Sequence, residues 1–109
     1  MSVIKDAMIE IINEIPDGEV TSYGAVAKEV LKRTKKEVTA QLIGRMLSGM
    51  AGGEQYLLPR RRVVNKQGYI STLKLGERWL KQIVLLEKEK NSVINGYLSE
   101  PVWYSGWEI

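Results

Sequence analysis

Seven apolar residues, Val3, Ile4, Ala7, Met8, Ile11, Ile12 and Ile15, recur at helical spacing and stop at the run Pro16-Asp17-Gly18. This pattern constrains the fold more than any other feature of the 109-residue chain. It predicts an amphipathic helix over residues 3–15 behind a Ser2 cap, with one whole stripe to be buried against other elements. Pro16 ends it. Proline fixes φ, the Asp17 side chain can bond its own backbone, and Gly18 tolerates positive φ, so the chain reverses here.

Further apolar patterns supply the surfaces that this stripe needs. Thr21 is read as the N-cap of a second helix, Ser22 to Leu31, with Ala25, Val26, Val30 and Leu31 on its apolar side. The polar stretch Lys32 to Glu37 reads as a connection. A third helix, Val38 to Met50, turns Leu42, Ile43, Met46, Leu47 and Met50 toward the core. It leaves Gln41, Gly44, Arg45 and Ser48 on other faces, and Ala51-Gly52-Gly53 closes it with a segment expected to be mobile. Val63 to Ile70 has two β-prone arms about a polar centre with Gly68, the pattern of a hairpin. Trp79, Leu80, Ile83, Val84 and either Leu85 or Leu86 mark a last helix, Leu75 to Glu89. The tail, with Tyr97, Leu98, Val102, Trp103, Tyr104 and Trp107, is too aromatic for simple disorder; it is expected to pack back on the body, with a partner site as the alternative. The fold class expected is mainly α: a winged helix-turn-helix-like single domain over residues 1–109 with a small β-hairpin wing.

Composition narrows the chemistry. With no cysteine there is no disulfide, thiolate nucleophile or sulfur-ligated metal, and with no histidine the usual general base and commonest metal ligand are missing. No cofactor, metal or catalytic residue is expected, although a carboxylate-only mechanism stays chemically conceivable. The formal charge of +3 hides an asymmetry. Between Lys28 and Lys66 stand ten Lys or Arg against three acids, a local +7, whereas the remainder carries −4. Such segregation suits a polyanionic partner, and a merely solvated basic surface is the plain alternative. No apolar run approaches a membrane span and no secretory leader can be read, so a cytoplasmic protein without a membrane partner is expected.

Three segments in register carry a resemblance. They are Ile15-Pro16-Asp17-Gly18-Glu19-Val20-Thr21-Ser22-Tyr23-Gly24-Ala25-Val26-Ala27, then Ile43-Gly44, then Pro59-Arg60-Arg61-Arg62-Val63-Val64-Asn65-Lys66-Gln67-Gly68-Tyr69-Ile70-Ser71. Together they resemble the alkylguanine-DNA alkyltransferases (methylated-DNA-protein cysteine methyltransferases), and most nearly their cysteine-free relatives, the alkyltransferase-like proteins. The resemblance covers about residues 3–90 and leaves 91–109 as the aromatic tail. It implies a helix-turn-helix that enters the minor groove and turns a guanine out into a pocket. In the true enzymes a Pro-Cys-His-Arg motif takes the alkyl group. In the alkyltransferase-like relatives a tryptophan usually replaces the cysteine, and the lesion is bound without repair.

Residue by residue, the resemblance implies that Tyr23 crowds the target nucleotide's phosphate and helps to turn it outward, offsetting the few kcal/mol of lost stacking; a core tyrosine with a satisfied hydroxyl is the other explanation. In the third helix, Ala40 and Gly44 match small residues that let the backbone approach the groove, with close helix packing the other explanation of Gly44. Gln41 departs from the family's intercalating arginine; it is shorter, uncharged and cannot stack as a guanidinium does. Arg45, one step along, is expected at a phosphate, and Lys66 at the DNA as well. Arg60 stands at the reactive cysteine and Arg61 at the histidine, and neither guanidinium is a nucleophile or base here. Arg60 either donates to guanine's carbonyl oxygen and ring nitrogen or fills the pocket. Arg62 matches a structural arginine. Glu89 lies near the glutamate that partners the family histidine, which predicts an ion pair with Arg61. The implied function is that of a non-enzymatic, monomeric protein binding double-stranded DNA, recognising alkylated guanine or distorted duplex for other repair proteins. A regulatory or architectural helix-turn-helix protein without base flipping, and a protein-interaction module, are the alternatives. The reading needs the third helix and the three consecutive arginines to share one cationic surface.

Overall fold

A computed structural model of the chain describes residues 2–49, 60–70 and 77–107. Helix α1, Ser2–Asn13, buries Met8, Ile11 and Ile12, and Ile15 is buried just beyond its end. The amides of Glu14 and Ile15 donate to the carbonyls of Ile11 and Ile12, tightening the final turn before Pro16. The Glu19 amide then donates to the Pro16 carbonyl, with Gly18 at φ +85°. The chain reverses as expected.

The turn leads into a strand, β1 (Glu19–Ser22), and not directly into a helix. Thr21 is buried inside this strand, and the cap of helix α2 (Tyr23–Thr34) is Ser22, whose Oγ accepts from the Ala25 amide. Threonine and serine both cap well, so local preference could not fix the boundary to one residue. Helix α2 also runs through Lys32 to Thr34, residues expected in the connection, and stops where Lys35 adopts φ 63° and its amide donates to the Leu31 carbonyl. Val26, Ala27 and Val30 are buried, but Leu31 is exposed at the edge of the apolar face.

Helix α3, Ala40–Gly49, begins behind Thr39, whose Oγ1 accepts from the Leu42 amide. Ile43 and Leu47 are buried and Met46 packs at the margin, whereas Leu42, expected in the core, is exposed. It stands about 100° around the helix from Ile43, on the outer flank. Met50 and the Ala51-Gly52-Gly53 segment lie outside the described residues.

A 3-10 turn, Arg60–Arg62, enters strand β2 (Val63–Val64). Strand β5, Val102–Trp103, completes a parallel sheet of order β2-β1-β5, with Thr21 opposite Val63 and Glu19 opposite Val102. Successive strand residues face opposite ways, and the core divides accordingly. Val63 joins Met8, Ile11, Ile12, Val26, Val30, Ile43 and Leu47 on one side. Val20 and Val64 join Ile70, Leu86 and Leu98 on the other. Helix α4, Glu77–Lys88, supplies Leu86 and the buried Gln82, while Val84 is half exposed. The side chains of Trp79 and Leu80 and the expected helix start at Leu75 lie outside the described residues.

Residues Asn65 to Tyr69 turn back as anticipated. The Asn65 amide donates to the Tyr69 carbonyl, the Gly68 amide to the Asn65 carbonyl, and Gly68 takes φ +80°. The two arms nevertheless pair mainly elsewhere: β2 with β1, and Tyr69 with Tyr97. A regular antiparallel hairpin lies in the tail, β3 (Ser92–Ile94) with β4 (Tyr97–Ser99), joined by Asn95-Gly96 at φ 53° and 84°. An Asn-Gly pair with both residues at positive φ matches the strand twist and is the strongest short hairpin signal. The tail packs on the body, since the Tyr104 amide donates to the Val20 carbonyl and Trp107 Nε1 to Glu14. The whole is mainly α with short strands, and the small hairpin wing expected over Val63 to Ile70 is replaced by a loop whose arms pair with β1 and the tail.

Candidate nucleic-acid interface

Strands β1 and β2 run parallel, with Ser22 opposite Val64, so the segments that leave both strands emerge at the same end. After β1 comes Tyr23, the first residue of α2; after β2 comes the Asn65–Tyr69 loop, which presents exposed Lys66. The Asn65 side chain holds the loop closed by accepting from the amides of Gln67 and Tyr69. Helix α3 reaches this end through Gly44: a Cβ built there would stand 3.8 Å from the Tyr23 ring. That is ordinary contact, so packing against Tyr23 does not demand glycine. On α3, Gln41 and Arg45 are turned away from buried Ile43 and Leu47, and Ala40 and Gly44 stand on the flank between them and Leu47. Ala40, Gln41 and Arg45 are exposed and Gly44 is half-buried. This side of α3 thus combines a shallow profile with one guanidinium and one amide.

At the other end of β2 the arginines behave differently. Arg62 donates from Nε and Nη2 to Glu89, from Nη1 to the Ile15 carbonyl and from Nη2 to Asp17, with its side chain only 11% exposed. The expected pair between Arg61 and Glu89 is present, with Arg61 Nε 2.8 Å from Oε2. Burial pushes the Glu89 carboxyl up, but hydrogen bonds from Arg62 and Arg61 outweigh this and hold it at about 2. The same carboxylate, with Asp17, holds the Arg62 guanidinium above its ordinary value against the opposing effect of burial. Two cations and two anions cancel here. Three consecutive arginines therefore do not form one free cationic surface. The side chain of Arg60, on which the question of an open or filled pocket turns, lies outside the described residues.

Arg33 is likewise consumed internally. It donates to Glu14 and Glu29 and lies 3.5 Å from Glu10, tying α2 to α1. Lys28, Lys32, Lys35, Lys36, Arg45 and Lys66 are exposed and have no ion pair with a described residue. Among the described residues between Lys28 and Lys66, these side chains, and not Arg61 or Arg62, carry the unpaired positive charge.

Two structural participants are not apparent in the sequence. Asp17 reads there as a turn residue, yet its carboxylate meets Arg62 across 45 positions of sequence. Gln82 donates to the carbonyls of Arg61 and Val63, fixing the 3-10 turn against α4. Its position within an amphipathic helix is the only local signal, and polarity there ordinarily means solvent.

Comparison with known proteins agrees with this geometry. A family model described as the 6-O-methylguanine DNA methyltransferase, DNA binding domain, matches residues 4–91. No curated protein matches the chain by sequence. Among solved structures, the chain is similar to S. pombe Atl1 in complex with damaged DNA containing O6-carboxymethylguanine, at 23% identity and a TM-score of 0.77, covering 95% of this chain and 97% of that one. It is also similar to S. pombe ATL in complex with DNA, at 23% identity, TM-score 0.74 and the same coverage of 95% and 97%. The helix pair, the short parallel strands and the Tyr23–Gly44 contact thus sit within a known fold, and the chain belongs to the family of the 6-O-methylguanine DNA methyltransferase DNA-binding domain.

Proposed function

We propose that this protein is a non-enzymatic binder of double-stranded DNA that recognises alkylated guanine or the distortion around it and leaves repair to other proteins. The observation that carries the reading is the side of α3 formed by Ala40, Gln41, Gly44 and Arg45, small and partly basic, standing against Tyr23 in a chain of this family. Small side chains let a helix approach a narrow groove closely, Tyr23 can crowd a phosphate, and Arg45 and Lys66 can meet the backbone. Arg60 is assigned to the edge of the same proposed surface, whereas Arg61 spends its charge on Glu89 at the other end of β2 and is left out of it. The relative of similar fold, Atl1, is bound to DNA containing O6-carboxymethylguanine, which supports the lesion as ligand. Alkyl transfer to sulfur has no acceptor, because the chain contains no cysteine.

Gln41 favours a second reading, binding of duplex without base flipping, because an amide replaces the stacking guanidinium. The protein acts as a cytoplasmic monomer in either case. Fluorescence anisotropy with two otherwise identical duplexes, one carrying an O6-alkylguanine, separates the two. Tighter binding to the modified duplex is expected; equal affinity would leave plain duplex binding. Four neutralised phosphates would give a log-affinity against log-salt slope of about −3.6.

A further inference from the structure

Helix α2 sorts its charges by face. Glu29, 7% exposed, and Arg33 point toward α1 and satisfy each other there together with Glu14. On a separate, outward stripe stand Lys28 and Lys32, one turn apart, and Lys35 follows as the cap just past the last turn. All three are exposed and none has an ion pair with a described residue. The same stripe continues at its amino end into Gly24, next to Tyr23. Lys28 also lines a groove with Gly24, Leu31, Glu37, Thr39 and Ala40, so the stripe adjoins the start of α3. Glu37 is the one acid among the described residues on that groove.

Lys35 adds a second observation. It closes α2 at φ 63°, where glycine or asparagine would be less strained. Exposed at this cap, it adds a third cation just beyond Lys32.

We propose that Lys28, Lys32 and Lys35 form a phosphate-binding track that carries the DNA backbone beyond the part of the duplex met by α3. The inference rests on the DNA-binding reading above and adds to it a second contact region on a different helix. From Lys28 to the end of α2 at Thr34 the helix rises about 9 Å, the axial length of about three base pairs. The track therefore lengthens the footprint and is blind to base identity, since phosphates carry no sequence. An acidic protein partner would need carboxylates at the same spacing and would have no reason to engage Ala40 and Tyr23 at the same time.

The test compares the wild-type protein with Lys28→Gln/Lys32→Gln/Lys35→Gln on a long duplex and on one shortened by about four base pairs, across a salt series. On the long duplex the triple variant is expected to bind at least tenfold more weakly, with a salt slope shallower by about 2 to 3. Any preference for alkylated over unmodified duplex is expected to stay the same. On the short duplex the two proteins should converge. The single variant Lys35→Gly, which relieves the backbone, is expected to keep or raise the denaturation midpoint while reducing the slope by about 0.9. Wild-type binding with an unchanged slope in both variants overturns the track alone. A wild-type protein that binds neither duplex at low salt overturns the DNA-binding reading and the track with it.

Discussion

The two ends of strand β2 use positive charge in opposite ways. At its start, Arg61 and Arg62 are bonded to Glu89 and Asp17, and Arg62 is nearly buried. Beyond its end, Lys66 is exposed, at the same end as Tyr23 and the open face of α3 with Arg45. One end is a neutralised clamp joining β1, β2 and α4; at the other, Lys66 and Arg45 have no ion pair among the described residues. A guanidinium held by two carboxylates and a carbonyl has little left to offer a ligand. An exposed lysine has all of its charge to offer and contributes little to stability.

The largest expected effect is on the clamp. Glu89→Ala leaves two guanidinium groups facing each other without their shared anion, and should lower stability by about 3 kcal/mol in chemical denaturation. DNA affinity, measured where the variant is fully folded, should change far less, and a large change in salt slope would erase the contrast between the two ends. The second effect is nearly as large and concerns pH. The Glu89 carboxyl sits at about 2, below its ordinary 4.5, so its stabilisation is complete above pH 4.5 and is lost as pH falls toward 2. The drop over that window should be about 3 kcal/mol. Glu89→Gln should flatten it, and an unaltered acid profile in that variant would assign the acid sensitivity to other carboxylates.

The smallest effect falls at the open end and has opposite signs in two measurements. A Cβ at Gly44 meets the Tyr23 ring at 3.8 Å, so Gly44→Ala should fit and, by helix preference, raise stability by up to ~1 kcal/mol. If α3 approaches DNA closely, the same methyl should weaken duplex binding about tenfold, or ~1.4 kcal/mol. Stability lost and affinity kept would return Gly44 to a packing role.

Much of the helical frame was legible in the sequence. The buried stripe from Met8 to Ile15, the stop at Pro16 and the core residues Ile43 and Leu47 follow from period and turn chemistry, whereas Val3, read into the same stripe, is half exposed. So did the face of α3 that stays outside, since Gln41, Gly44 and Arg45 interrupt the apolar period. Less legible was everything made by short strands. Glu19–Ser22 is too brief to show alternation, and its identity as a strand depends on Val63–Val64 and Val102–Trp103, both distant in sequence. The Asn95-Gly96 hairpin had a local signal, which the aromatic residues around it obscured. The Arg61–Glu89 pair was reachable only through the family resemblance, and the role of Asp17 beside Arg62 was not reachable at all.

Sequence by itself determined which segments are helical, where the chain must reverse, and that no thiol or imidazole chemistry is available, because these depend on neighbouring residues or on composition alone. It also set the surplus of positive charge between Lys28 and Lys66. Tertiary structure decided which of those charges are free. Arg33, Arg61 and Arg62 met carboxylates from remote parts of the chain, whereas Lys28, Lys32, Lys35, Arg45 and Lys66 met none among the described residues. The reason is physical: Coulomb attraction acts between positions in space, and a string of residues holds no distances.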